Sequence, residues 1–205
     1  MNFQGFSEED FATFNIDGLA ARMEAIQTRI QPKFKILGEQ LTEDLSAMVG
    51  SEMFLHIARH ARRTVNPPND TWLAIAGNKR GYKKHPHFQV CLWDDHVFIW
   101  LAFIYELPHK TNIANTFLNE FDEFQEMIPN DYVISLDHMK KDAESIKSID
   151  LEAALIRFRD VKKAELLIGK QFTPTDSVVK DGEAFYHEVK QTFQQLIPIY
   201  RLAYQ

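Results

Sequence analysis

The fold is decided by the stretch FQVCLWDDHVFIWLAFIY, which runs from Phe88 to Tyr105. Two apolar runs, 88–93 and 97–105, lie on either side of the short polar segment DDH. Runs rich in β-branched and aromatic residues that flank a short polar turn are typical of a β-hairpin. We therefore predict two adjacent antiparallel strands at this position.

Helical patterns precede the hairpin. Apolar residues recur at helical spacing over residues 18–30, and a second helical stripe begins at Pro32 and ends at Gly50. A glycine is the residue that most often stands just past the end of a helix. The sequence therefore predicts two successive helices in front of the strands.

The next segment, MFLHIARHA at 53–61, fits both a helix and a strand. Four residues are close to one helical turn and are also an even number of strand steps, so we expect His56 and His60 on one side in either case. We favour a strand, because the turn-rich sequence TVNPPND at 64–70 leads into a second apolar run, TWLAIA.

The second half of the chain alternates between helices and short strands. The predicted elements are a helix over 108–128, a strand at 132–136, a helix capped by Asp150, an edge strand at 166–168 and a last helix after Asp181 that Pro198 kinks or ends. This order indicates an α+β fold, with helices packed on a mainly antiparallel sheet. We expect one globular domain over 1–205, because the sequence has no internal repeat and no Gly/Ser linker.

The composition is typical of a cytoplasmic protein. Apolar residues make up 45% of the chain and sixteen residues are Phe, so we expect a Phe-rich core. The single cysteine, Cys91, lies in an apolar run, which predicts a buried, inert thiol and a reducing compartment. The acidic N-terminus lacks the apolar stretch of a signal peptide. The longest apolar run, 97–105, is too short to span a membrane, so no membrane partner is expected.

Residues His56–His87, called the basic segment below, carry a density of cations found nowhere else in the chain. Seven Lys and Arg residues and one acid give this segment a formal charge of +6, whereas the whole chain is at −6 and the remainder at −12. Four of the eight histidines also lie here. A concentrated positive field on an acidic chain predicts a site for an anion.

We favour a phosphate-bearing ligand, either a nucleotide or a short RNA. Arginine can fork around phosphate oxygens, lysine adds charge, and aromatic rings offer faces on which bases stack. The predicted ligand-binding residues are Arg62, Arg63, Trp72, Lys79, Arg80, Tyr82 and His87. The acidic balance of the whole chain argues against a general coating of nucleic acid, so the site is expected to be local.

The sequence predicts neither a metal nor a cofactor. His56 and His60 have the spacing of a two-histidine ligand pair, but Ile57 stands where the H-E-x-x-H motif needs its Glu. Neighbouring arginines oppose a cation by Coulomb repulsion. The Gly-rich phosphate loops of NTPases and dinucleotide-binding proteins do not occur in the sequence.

Two other functions stay open. His56 and His60 are candidate catalytic residues, the acid and base of a phosphoester-cleaving enzyme in which nearby cations stabilise the transition state. The simpler interpretation makes the same two residues partly buried hydrogen-bonding groups of a strand. Alternatively, the basic segment docks an acidic protein partner.

Several long runs resemble a known family. These runs are HIARHARRTVNPPNDTW, RGYKKHPHFQV, the opening FSEEDFATFNIDGLAARMEAI and HVFIWLAFIYE. They are similar to the YktB-like family of uncharacterised proteins from Gram-positive bacteria. The resemblance implies a compact, soluble α+β domain in a bacterial cytoplasm, and it implies no reaction, cofactor or catalytic residue.

Overall fold

The computed structural model describes residues 3–205. Within this range, seven strands form one sheet in which every neighbouring pair is antiparallel. The strands are β1 (Phe54–Ile57), β2 (Thr71–Ala76), β3 (His87–Leu92), β4 (Val97–Phe103), β5 (Val133–Ser135), β6 (Glu144–Ser145) and β7 (Leu166–Phe172). Their order across the sheet is β1-β2-β3-β4-β7-β5-β6.

Helices flank the strands in the sequence. They are α1 (Glu8–Ala12), α2 (Leu19–Ala25), α3 (Gln31–Val49), α4 (Lys110–Asn119), α5 (Phe121–Glu126), α6 (Leu151–Asp160), α7 (Ser177–Lys180) and α8 (Gly182–Leu202), with a 3₁₀ turn at Thr13–Asn15 and a π-helical segment at Ile26–Ile30. The predicted α+β class and the order of the elements are therefore confirmed. No helix within residues 3–205 combines the length and apolar character needed to cross a membrane.

The predicted hairpin is the centre of the sheet. Strands β3 and β4 pair from His87 opposite Ala102 to Leu92 opposite Val97, and all their residues are buried. A strand that is apolar on both sides has to be covered on both faces. The two faces of this sheet are covered differently.

Helices cover one face of the sheet. Helices α3 and α8 pack there on residues such as Leu73, Phe88 and Leu101, and the ring of Phe88 lies 5.0 Å from that of Phe193 in α8. The other face, called the loop-covered face below, carries Trp72, Cys91, Phe98, Trp100 and Leu167. It is covered by the segments between the strands rather than by helices.

Two predicted element boundaries are wrong, and of the two effects predicted for Pro198, an end of the helix is excluded. The predicted helix break at Pro32 is absent, because Ile26–Ile30 is π-helical and continues into α3, and Pro32 lies in its first turn, where a missing N–H costs little. The predicted helix over 108–128 is interrupted at Glu120. Pro198 does not end α8, which continues to Leu202.

The strand predicted at 166–168 is not an edge strand. Strand β7 is longer than predicted and lies between β4 and β5. A short apolar run indicates that a strand is buried, but it does not say which neighbours the strand pairs with. The edge position belongs to the two-residue strand β6, which was not predicted.

Helix caps follow the predictions. The Asp150 carboxylate accepts a hydrogen bond from the Ala153 backbone N–H at 2.9 Å, and Asp181 accepts from the first N–H groups of α8. Gly50 ends α3 in the left-handed conformation, with φ of 81°. The ends of these helices can be predicted from the sequence, because a cap depends on groups that are close in sequence.

Gly169 provides a test of the sheet registry. A Cβ added at this residue would lie 1.8 Å from the carbonyl oxygen of Ile99 in β4. We expect Gly169→Ala to lower the free energy of unfolding by about 2 kcal/mol or more, because neither backbone can move without disrupting the ladder. Urea unfolding measures this loss, and Gly81→Ala, which meets no atom within 4 Å, is the matched control. Equal stability of the two variants would contradict the register.

Candidate functional site

Buried polar side chains are concentrated on the loop-covered face. Asp70, His87, Gln89 and Glu165 are each at most 5% exposed. His87 and Gln89 lie on β3 with the same alternation as Cys91, so they point to this face. Burying polar groups beneath loops is costly unless they are hydrogen-bonded, so this face is where a functional site is expected.

Five residues of the basic segment meet in one group, called the aromatic cluster below. They are His56, His60, Trp72, Tyr82 and His87. The indole N–H of Trp72 donates to the hydroxyl of Tyr82 at 2.8 Å. The His60 ring lies 5.4 Å from the Trp72 ring, whereas the rings of His56 and His87 lie 5.6 Å and 4.8 Å from that of Tyr82. The segment 77–86 therefore folds back over the sheet.

The two candidate catalytic histidines are held by hydrogen bonds. Nε2 of His56 lies 2.9 Å from the Asn78 carbonyl oxygen and donates to it, and Nε2 of His60 lies 3.1 Å from the Thr71 hydroxyl. Burial, together with the nearby charge of Arg63, lowers the pKa of His60 to about 4. At neutral pH this ring is uncharged and donates no proton readily.

The expectation that His56 and His60 share one side of a strand is wrong. Strand β1 ends at Ile57, and His60 lies beyond it with φ of 51°, a left-handed backbone conformation. Among residues other than glycine, histidine is one of the few that adopt this conformation more often than average, and it turns the chain away from the strand direction. The two rings approach the aromatic cluster from different segments.

His87 has one ring nitrogen without a partner. The residue is fully buried, and its Nδ1–H donates to the His85 carbonyl oxygen at 2.9 Å. Nε2 makes no hydrogen bond to any residue within 3–205. Burial lowers the pKa of His87 to about 4, so the neutral ring presents a lone pair at Nε2 to the interior of the loop-covered face.

The predicted cationic ligands are less closely grouped. Arg62, Lys79 and Arg80 are exposed and Arg63 is half-buried. Arg62 and Arg63 precede β2, whereas Lys79 and Arg80 follow it, so the pairs leave opposite ends of that strand. The walls of five cavities of about 410–550 Å³ among residues 3–205 include neither these cations nor the aromatic cluster. The structure therefore presents a basic surface rather than a closed pocket.

Asp70 connects the basic segment to the buried polar groups. Its carboxylate accepts from the Cys91 thiol at 3.5 Å. Burial raises the pKa of Asp70 to about 6, and this rise is limited by the Cys91 hydrogen bond and by the charges of His138 and Arg63. Both cationic side chains therefore lie near the same carboxylate. The predicted inert thiol agrees with the pKa of Cys91, which burial raises far above its usual range.

The buried acid Glu165 and its partner His138 were not among the residues predicted from the sequence. Both oxygens of Glu165 accept hydrogen bonds from His138, at 2.7 Å and 2.9 Å from Nδ1 and at 2.8 Å from the backbone N–H. Burial opposes the charged forms, but the mutual hydrogen bond and attraction outweigh it, so the pKa of His138 is raised and that of Glu165 is lowered. No local pattern reveals this pair, because the two residues lie in different elements and meet only in the folded sheet.

Asp137, His138 and Glu165 also place potential metal-ligand atoms within 4.8 Å of one another. The Glu165 oxygens, however, already accept from His138 and from the Tyr105 backbone N–H. Oδ1 of Asp137 accepts a hydrogen bond from the Met139 backbone N–H at 3.0 Å. These hydrogen bonds account for the close approach of the three side chains without a metal ion.

Comparison with known proteins gives full-length matches. Residues 6–200 match the profile described as "Domain of unknown function (DUF1054)". UPF0637 proteins of Shouchella clausii and Oceanobacillus iheyensis are 58% and 61% identical over 203 and 199 residues, which are 99% and 97% of this chain and 96% of each relative. A UPF0637 protein of Listeria innocua is 54% identical over the full length of both chains. The predicted resemblance to an uncharacterised Gram-positive family is confirmed, under the name UPF0637.

The buried ring of His87 makes stability depend on pH. Below pH 6.5 an unfolded chain protonates this histidine, whereas the native ring stays neutral down to about pH 4, so stability falls as the pH falls through this window. The loss attributable to His87 approaches roughly 3 kcal/mol at pH 4. We expect His87→Asn to lose correspondingly less stability than the parent between pH 7 and pH 4, as measured by urea unfolding.

His109→Gln is the control for this measurement, because His109 is an exposed histidine. Its stability should follow the parent at both pH values. Identical pH dependence of His87→Asn and the parent would show that the His87 ring is not buried in its neutral form.

Proposed function

The chain belongs to the DUF1054 family, a domain of unknown function, and we propose that it binds a phosphate-bearing anion, foremost a short RNA, through its basic segment. The observation that carries this proposal is that four cationic side chains of the basic segment form no ion pair with another described residue. Among the described residues, Arg62, Arg63, Lys79 and Arg80 have no carboxylate within ion-pair distance, whereas Lys83 pairs with Glu106 at 3.0 Å. Unpaired cations on an acidic protein attract an external anion.

The length of β2 favours an extended ligand over a single nucleotide. Six residues of strand separate the two basic loops, which is about 20 Å at the usual rise per residue. A short RNA can reach both loops, whereas one nucleotide reaches only one of them. Arg62, Lys79 and Arg80 are exposed, which fits an RNA strand that lies along the surface.

The aromatic cluster supplies the apolar part of this surface. Trp72 and Tyr82 are half-buried, so part of each ring remains accessible for stacking with a base. Their hydrogen bond and their contacts with three histidines fix the two rings before a ligand arrives. A prearranged surface loses less conformational entropy on binding.

The geometry does not favour His56 and His60 as an acid–base pair. Each ring bonds to a neutral group rather than to a carboxylate, and burial lowers the pKa of His60 to about 4, which supports the simpler interpretation as structural histidines. A cytoplasmic location is part of the proposal, because a single cysteine suits a reducing compartment.

Exchange of two arginines tests the proposal. We expect Arg62→Ala with Arg63→Ala to weaken binding of a fluorescein-labelled single-stranded RNA by about tenfold or more, because charged hydrogen bonds to phosphate are lost. The slope of log affinity against log salt should fall by about one to two. Fluorescence anisotropy at several salt concentrations measures both effects, and the melting temperature should stay close to that of the parent.

The matched control removes two exposed lysines from the loop before β7, in Lys162→Ala with Lys163→Ala. This variant loses the same charge and should bind as the parent does. Equal weakening in both double variants would mean that only net charge matters, which contradicts a site. If polyglutamate displaces the RNA as readily as unlabelled RNA does, the surface docks an acidic protein instead.

A further inference from the structure

The ring of His138, which is paired with Glu165, is partly exposed, and one of its nitrogens has no hydrogen bond to residues 3–205. The Glu165 carboxylate accepts hydrogen bonds from both the backbone N–H and the ring Nδ1–H of His138, and these two bonds fix the orientation of the ring. The Glu165 side chain is only 3% exposed, whereas that of His138 is 23% exposed. Nε2 of His138 makes no hydrogen bond to residues 3–205, so it is directed away from the carboxylate.

We propose that His138 is the proton-accepting residue of a phosphoester-hydrolysing site on the loop-covered face, with Glu165 as its positioning residue. The substrate is the phosphoester of the bound anion, so this inference rests on the proposed function. A carboxylate that holds Nδ1–H fixes the tautomer in which Nε2 is free to take a proton. No pattern in the sequence indicates this role, because the pair forms only in the folded chain.

The surroundings of His138 supply the other requirements. The charges of Arg63 and His138 both lower the pKa of Asp70, so the two side chains lie near the same carboxylate. The charges of His138 and Glu165 also act on the pKa of His87. Nε2 of His87 is fully buried and has no hydrogen-bond partner among residues 3–205.

The reaction is a hydrolysis, and its atoms balance without a further reagent. Nε2 of His138 takes a proton from water as the water oxygen forms a bond to phosphorus. The phosphorus–oxygen bond to the leaving alcohol breaks, and the leaving oxygen receives the proton that His138 releases through solvent. The products are a phosphate ester with one ester bond fewer and the free alcohol.

A purely structural role is the competing explanation, since the pair also ties the segment after β5 to β7. The two roles differ in their dependence on pH. A base must be unprotonated, so the hydrolysis rate should rise with pH through the pKa of His138. That pKa lies above its usual value despite burial, because Glu165 stabilises the charged ring, and Asp137 and Asp70 act in the same direction. The charged groups that face His138 are therefore these three carboxylates, with His87 as the neighbouring imidazole.

The experiment uses the full chain with two substrates, bis(p-nitrophenyl) phosphate and the labelled RNA. We expect the parent to release p-nitrophenolate and to shorten the RNA, and His138→Gln to reduce both rates at least a hundredfold. His109→Gln, an exposed histidine far from Glu165 in sequence, is the matched control and should retain the parent rates. Glu165→Gln should slow the reaction and move the inflection of the pH–rate profile to lower pH.

The outcomes separate this inference from the proposed function. RNA binding without hydrolysis of either substrate overturns the role of His138 and leaves anion binding standing. Hydrolysis of the small diester without RNA binding does the reverse. Parent-like rates in His138→Gln overturn the inference. If circular dichroism shows that this variant is unfolded, an unchanged inflection in Glu165→Gln overturns it instead.

Discussion

The burial of β3 and β4 on both faces is the constraint on which the rest of the structure depends. Every residue of the two strands is buried, so each face needs its own cover. Helices α3 and α8 supply an apolar cover on one side, where Phe88 and its neighbours exclude water. The other side is covered by inter-strand segments, whose backbone and side chains bring polar groups with them. The candidate site therefore lies on the loop-covered face.

Hydrogen bonds decide what these polar groups can do. The bonded nitrogen of His56 joins the Asn78 carbonyl oxygen and that of His60 joins the Thr71 hydroxyl, so each contact with a neutral group fixes a loop. The bonded nitrogen of His138 joins the Glu165 carboxylate, and Nε2 of His87 is buried without a partner among residues 3–205. Burial and partner together set the charge: the pKa of His87 is lowered to about 4, whereas Glu165 raises the pKa of His138. The histidines of this face thus differ in their hydrogen-bond partners and in the direction of their pKa shifts.

The parts of this account that depend on short stretches of sequence could be predicted. The central hairpin, the caps at Asp150 and Asp181 and the strand nature of residues 54–57 follow from patterns of a few residues. The position of β7 between β4 and β5 could not be predicted, because an apolar run does not specify its partners. The basic segment marked one side of the candidate site, but its charge pattern did not show that its two loops leave opposite ends of β2. The acid Glu165 lies outside that segment, so a search confined to charge density misses it.

The central claim is that the basic loops of the loop-covered face receive a phosphate-bearing strand. Titration of the ¹⁵N-labelled protein with a short single-stranded RNA, followed by amide chemical shifts, tests this claim most directly. We expect the largest shifts in segments 59–63 and 78–82 and at the indole N–H of Trp72, together with shifts around His138. Shifts that are confined to the helix-covered side, or no shifts at all, would contradict it.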